Sequence, residues 1–299
     1  MRILLTGITG QVGSALPAPL ALFGTLLATD RGRFDLSRPE TLADALDVLK
    51  PDLIVNPAAY TAVDLAEDER SLAFRVNADA PGAMADWAAR HGVPMVHFST
   101  DYVFDGSGTA PWREDDTPAP LSTYGASKLA GEAAIRRAGG AHLIVRTSWV
   151  YSRHGKNFLL TIARLAAERK ELRVVSDQYG APTSARVIAD AVMEILRLNG
   201  TDAAGAFARG CGVVNIASSE VTSWHGFAAA IVAGMKQRAI AVETEHVTPI
   251  ETDGYPTRAT RPRNSRLDLG RLQEVFGIET PSWREALDVE LDRLVSANP

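Results

Sequence analysis

The chain runs to 299 residues, 46% hydrophobic and 22% charged, which are ordinary globular values in a length that exceeds one small core. Its net charge of −5 argues against nucleic acid as the main partner, because neutralising phosphates takes clustered Lys and Arg. No apolar run nears the roughly 20 residues a membrane helix needs, and Ile3 to Leu5 is too short for a signal-peptide core, so a cytoplasmic protein with no membrane partner is expected.

Residues 3–6 read as a short buried strand that runs into Gly7-Ile8-Thr9-Gly10-Gln11-Val12-Gly13 and then a helical pattern. Three glycines spaced by three, between a strand and a helix, make the turn that lets backbone approach a pyrophosphate. A bare turn is the alternative. Pro17 and Pro19 fall where the helix should continue, so it is expected to be short, kinked or restarted near Pro17. A second strand, 25–29, delivers Asp30, placed to bond the adenosine ribose hydroxyls or simply to open a loop. A carboxylate repels a 2′-phosphate, whereas Arg31 and Arg33 neutralise one, so NADPH and NADH are both expected to be accepted. Asp35-Leu36 lines the adenine or forms an ordinary loop.

A helix over 40–50 leads to a strand over 53–56 and to Pro57-Ala58-Ala59-Tyr60, whose small residues leave room for a ribose and phosphate. For Tyr60, simple packing is the alternative. A helix over 71–91 precedes a strand over 95–99 that ends at Thr100. The next helix, 124–138, opens with Tyr124-Gly125-Ala126-Ser127-Lys128. One turn apart, Tyr124 and Lys128 share a face, and an ammonium there is expected to favour the phenolate. Further strands at 142–146 and 173–175 and helices at 157–169, 186–198 and 223–236 complete a βαβ rhythm. The single cysteine, Cys211, permits no intrachain disulfide, which fits a reducing compartment. The fold expected is α/β, a doubly wound parallel sheet (Rossmann-like), with a smaller carboxy-terminal α/β substrate lobe. Residues 1–175 would form the dinucleotide-binding domain and 176–299 the lobe, with some chain crossing back.

These residues suit hydride transfer to a ketone: the nicotinamide supplies the hydride, Tyr124 the proton, Lys128 tunes the phenol and holds the ribose, and Thr100 polarises the oxygen. For Thr100 alone a structural role is the alternative. The scheme needs no metal, and the six histidines, His97 among them, lack paired zinc spacing and read as structural or surface residues.

The glycine turn, Phe98-Ser99-Thr100-Asp101-Tyr102-Val103-Phe104-Asp105-Gly106, Tyr124-x-x-x-Lys128, Arg146-Thr147-Ser148-Trp149-Val150-Tyr151 and Arg261-Pro262-Arg263-Asn264-Ser265-Arg266-Leu267-Asp268 together resemble the extended short-chain dehydrogenase/reductases that act on nucleotide sugars. Within them the chain is most similar to the dTDP-4-dehydrorhamnose reductases, which make dTDP-L-rhamnose from the 4-keto sugar. The resemblance implies that Gly10, Gln11 and Val12 contact the pyrophosphate, and that Asp30, Asp35 and Leu36 meet the adenosine. It puts Ala58, Ala59 and Tyr60 on ribose and phosphate, Tyr124 as proton donor with Lys128 beside it, Thr100 and Asp101 on the sugar, and Trp149 along its pocket. Pro57 stands where the family more often has alanine. Homodimers are common among relatives, and Mg²⁺ is associated with some, although no motif here fixes its ligands.

Arg258, Arg261, Arg263 and Arg266 offer forks for a nucleoside diphosphate or form a solvated basic loop, and Trp224 and Tyr255 are available to stack on a sugar or base. Two rival functions share the scaffold: a nucleotide-sugar epimerase or dehydratase, and a non-catalytic regulatory subunit of methionine adenosyltransferase. Intact Thr100, Tyr124 and Lys128 weigh against the latter, and the single carboxylate of Thr100-Asp101 against a dehydratase.

Overall fold

The computed structural model describes residues 1–198, 202–210 and 212–296, so Cys211 lies outside the described residues. Six parallel strands form one sheet: β1 Arg2–Leu5, β2 Thr25–Ala28, β3 Leu53–Asn56, β4 Met95–Thr100, β5 His142–Thr147 and β6 Val213–Asn215, in the order β6-β5-β4-β3-β1-β2. This is the doubly wound parallel sheet expected, and its order reverses at β1, between β3 and β2. Register runs straight across the middle, with Leu4 opposite Ile54, Ile54 opposite Met95 and Met95 opposite His142.

Alternate residues of each strand point to opposite faces. Ile3, Leu5, Val55, Val96 and Val145 face the helix Ala185–Leu198, while Leu4, Ile54, Met95 and Ile144 face the helices Leu42–Leu49 and Ala80–His91. Near-continuous apolar strands follow from burial on both sides.

The helix after the glycine turn stops at Ala15 and restarts over Pro17–Leu20 with Pro17 in its first turn, where a missing N–H costs nothing. The stretch expected as one helix over 71–91 contains a wide turn, Arg75–Asp79, between Arg70–Phe74 and Ala80–His91. A second apolar cluster surrounds the parallel pair Glu171–Val175 and His246–Ile250, with the helices Phe158–Glu168, Trp224–Gln237 and Trp283–Ser296 packed on it. That cluster draws on chain from both sides of residue 175, while Ala185–Leu198 and β6 return to the main sheet.

Candidate active site

Ligands in such sheets bind beyond the carboxyl ends of the strands where the order reverses. A cleft of about 870 Å³ opens there. It is lined by Gly7, Gly10, Gln11, Val12 and Gly13, by Asp30, Asp35 and Leu36, by Ala58, Ala59 and Tyr60, and by Thr100, Asp101, Tyr124, Lys128 and Trp149. These residues are therefore brought to one concavity, whereas Arg33, Trp224, Tyr255, Arg258, Arg261, Arg263 and Arg266, also singled out from the sequence, do not line it.

The glycine turn is closed on itself. Gly7 is left-handed at φ +59°, and a Cβ on Gly13 would fall 1.9 Å from the Gly7 carbonyl oxygen. A side chain at Gly7 would run into Ala58 and one at Gly13 into the Gly7 carbonyl, so either would force this turn apart. Beside the turn, Gln11 Oε1 is buried with no partner. At the adenosine end, Asp30 Oδ1 accepts from the backbone N–H groups of Gly32 and Arg33, at 3.0 and 3.2 Å. Burial pushes the Asp35 carboxyl up, but hydrogen bonds from Ser37 and the nearby Arg31 hold it below its ordinary value.

The Ala58–Tyr60 segment is held by a residue the sequence did not single out. Asn77, in the wide turn, accepts from Tyr60 N at 2.8 Å and donates to Tyr60 O and to Ser127 Oγ, each at 3.0 Å. The wide turn thus ties the loop to the helix Thr123–Ala138 that carries Tyr124 and Lys128.

Ser122 caps that helix by accepting from Gly125 N at 3.2 Å. Gly125 has no room for a Cβ, which would lie 2.1 Å from the Tyr102 carbonyl oxygen, so the helix start is pressed against the chain leaving β4. Tyr124 meets Tyr102 edge to face at 5.6 Å, and the Thr100 hydroxyl lies within hydrogen-bonding reach of its phenol. The structure corrects the expected activation of the phenol by Lys128. Burial of the hydroxyl, reinforced by the Asp101 carboxyl, pushes the Tyr124 phenol well above its ordinary value. The Lys128 ammonium instead reaches His97 Nε2 at 3.2 Å. Burial lowers Lys128 itself to about 8, with Glu132 opposing.

Asp101 is 2% exposed, its Oδ2 has no partner, and burial pushes its carboxyl up to about 6. The folded protein then holds this proton more tightly than the unfolded chain, so the group costs stability as pH rises from about 4 to about 6, by up to ~3 kcal/mol. Asp101→Asn is expected to be more stable than the wild type at pH 8, by about 1–3 kcal/mol, with the gain vanishing below pH 4. Thermal unfolding across that range checks it, and a difference independent of pH contradicts it.

Trp149 adopts a left-handed backbone at φ +49° and stacks face to face on Trp224, centroids 3.7 Å apart. A Cβ on Gly180 would sit 2.8 Å from the indole, so the other face is covered too and Trp149 presents an edge to the cleft. Trp224 is thereby committed to protein packing. The arginines are also paired: Arg258 with Asp68, Arg261 with Asp64 at 2.6 Å, Arg263 with Asp177 at 3.7 Å, while Arg266 lies over the Tyr179 ring. One nitrogen, Arg261 Nη1, is buried without a partner. Among the described residues no group of three or more His, Cys, Asp or Glu side chains could hold a metal ion, and no helix is long and apolar enough to cross a membrane.

A family model described as the RmlD substrate binding domain matches residues 1–296. A dTDP-4-dehydrorhamnose reductase from Burkholderia thailandensis is 48% identical, the match covering 99% of this chain and 100% of that protein. Among solved structures, one of a dTDP-4-dehydrorhamnose reductase from Clostridium acetobutylicum matches with TM-score 0.89 at 33% identity, covering 99% of this chain and 100% of that one. Another, from Bacillus anthracis and in complex with NADP, matches with TM-score 0.87 at 31% identity, over 98% and 99%. With the family model matched almost end to end and a relative this similar over its full length, the chain belongs to the RmlD substrate binding domain family.

Proposed function

We propose that this chain reduces the 4-keto group of dTDP-4-dehydro-L-rhamnose to dTDP-L-rhamnose at the expense of NADPH or NADH. The observation that carries this reading is the convergence of Thr100, Tyr124 and Lys128 in one cleft that continues to the glycine turn. Full-length relatives named dTDP-4-dehydrorhamnose reductase support the substrate, and the NADP-bound relative supports the cofactor. The closed glycine turn and the orphaned Gln11 Oε1 fit a dinucleotide along Gly7 to Gly13 and past Ala58 to Tyr60.

When bound, a reduced nicotinamide supplies a hydride to the keto carbon. The rest falls to the protein. Tyr124 gives its proton to the keto oxygen as negative charge develops there, and its raised phenol pKa keeps that proton in place at neutral pH until an alkoxide, the stronger base, takes it. The Thr100 hydroxyl now donates to Asp101 Oδ1 at 3.0 Å, and on rotating becomes a second donor to the same oxygen. Lys128 holds the nicotinamide ribose and contributes positive charge beneath the phenol. The sheet carries the cofactor, and the lobe around Glu171–Val175 and His246–Ile250 closes the sugar-nucleotide end. Trp149 and Asp101 line the sugar.

Mixing the purified protein with NADPH and dTDP-4-dehydro-L-rhamnose, and following loss of the reduced-nicotinamide absorbance together with formation of dTDP-L-rhamnose, tests the reading. No turnover, or NAD retained stoichiometrically through purification as in an epimerase, overturns it. Because Asp30 is spent partly on its own turn and Arg31 is drawn to Asp35 at 3.6 Å, neither charge dominates the ribose end. The values of kcat/KM for NADPH and NADH are expected to lie within a hundredfold of each other, and steady-state kinetics with both cofactors checks this.

A further inference from the structure

We infer that Asn77 and Ser127 are positioning residues, a buried polar relay that ties the seat of the dinucleotide to the backbone of Tyr124 and so couples the two. The inference rests on the function proposed above. Asn77 sits in the wide turn Arg75–Asp79 and, like Ser127, is 0% exposed. Its side chain clasps the backbone of Tyr60, accepting from the N–H at 2.8 Å and donating to the carbonyl at 3.0 Å. The second amide proton goes to Ser127 Oγ at 3.0 Å, and the Ser127 hydroxyl in turn donates to the Tyr124 carbonyl oxygen at 2.7 Å. The sense of each step is fixed. A backbone N–H only donates and a carbonyl only accepts, so the Asn77 amide has one orientation and the Ser127 proton one destination.

Buried polar side chains cost stability unless they are satisfied, and here every side-chain proton of the pair has a partner. An apolar pair of similar size would fill the space without that cost; what the polar pair adds is direction. The Tyr60 ring is fixed as well, its hydroxyl donating to Glu69 at 2.7 Å. The turn also holds the helix Thr123–Ala138 at a second point. A Cβ on Gly131 would fall 2.1 Å from the Asn77 carbonyl oxygen, so turn and helix touch backbone to backbone one helical turn beyond Ser127. Ser127 and Gly131 therefore make the face that abuts the turn, while Tyr124 and Lys128, three residues before each, make the neighbouring face that lines the cleft. The first pair fixes the rotation of the helix about its axis, and the second pair inherits it. Ala58, Ala59 and Tyr60 line the same cleft, so whatever presses on that loop presses through Asn77 on Tyr124. A single wide turn between helical segments is uncommon and concentrates at functional sites.

The test reads the two ends of the relay separately. Binding of NADPH alone, followed by the fluorescence of the reduced nicotinamide, reports the loop. Single-turnover loss of its absorbance, at saturating NADPH and dTDP-4-dehydro-L-rhamnose, reports the placement of the phenol. Ser127→Ala deletes one oxygen and leaves the Tyr60 clasp whole. It should bind NADPH within about twofold of the wild type yet react about tenfold more slowly, because a donor shifted by a fraction of an ångström loses its alignment. Asn77→Ala opens the clasp too, so its NADPH dissociation constant should rise about tenfold in addition to the same loss of rate. The double variant should react no more slowly than Asn77→Ala, since both changes cut one relay; a loss of roughly a hundredfold, the product of two independent effects, overturns the inference. A purely structural role would lower the melting temperature of Ser127→Ala and leave its rate per folded site unchanged, and that result overturns it. So does a loss in Ser127→Ala that falls on NADPH binding instead of on the rate. Should Asn77→Ala fail to fold, Ser127→Ala decides alone. A wild type that binds NADPH without turning over removes the proposed function, and the relay is then judged by affinity: equal NADPH binding in Asn77→Ala and the wild type overturns it.

Discussion

Replacing Tyr124 by Phe is expected to lower kcat by about 10²- to 10⁴-fold while leaving the fold and dinucleotide binding intact. The substitution deletes one oxygen. The ring keeps its edge contact with Tyr102, and the Ser122 cap of the helix does not involve the phenol. What disappears is the proton the proposal assigns to the keto oxygen, and neither the Thr100 hydroxyl, which donates to Asp101, nor the Lys128 ammonium, turned to His97, replaces the phenol in place. Steady-state kinetics with thermal unfolding of the same sample decides the matter. Wild-type kcat in the variant removes Tyr124 as the donor, whereas a loss shared with a collapsed melting temperature would mean that the ring, not the hydroxyl, had been disturbed.

Glu132→Ala is expected to destabilise the protein by about 3–5 kcal/mol, lowering the melting temperature by about 5–8 °C. Arg146 and Glu132 are both fully buried, and the guanidinium grips the carboxylate with two nitrogens, at 2.9 and 2.7 Å, while Ser99 donates to it at 2.6 Å. Taking away the carboxylate strands a cation between the sheet and the helix of Tyr124 and Lys128. Replacing both partners with apolar residues, Glu132→Leu with Arg146→Met, should recover most of the loss, because the cost lies in the unpaired charge rather than in the missing attraction. Thermal melts of the two variants distinguish these cases, and a single variant as stable as the wild type contradicts the argument.

Much of this molecule is legible in the chain because its signals are local. Arg2–Leu5 and the glycines after it are contiguous, Tyr124 and Lys128 are a turn apart, and most central strands are apolar runs bounded by turns. What the chain hides depends on residues far apart in sequence. Val213–Asn215 is three residues long and becomes a strand only by pairing with β5, so nothing in its own pattern announces it. Arg258 and Arg261 look like free guanidinium forks until Asp68 and Asp64, nearly two hundred residues earlier, are seen beside them. His97 reads as one more core histidine, although its alternation with Met95 and Ser99 puts it on the face that Lys128 approaches. The raised Tyr124 pKa is equally hidden, because spacing places an ammonium near a phenol without revealing how deeply both are desolvated.

The stack of Trp149 on Trp224 makes the Trp149 side of the cleft a wall rather than a jaw. Swinging the lobe away from the sheet would separate rings whose centroids lie 3.7 Å apart and pull the Trp149 indole from the space that Gly180, lacking a Cβ, leaves for it. Adjustment on that side of the cleft is thereby left to rotating hydroxyls and ring edges, its outline being set when the chain folds.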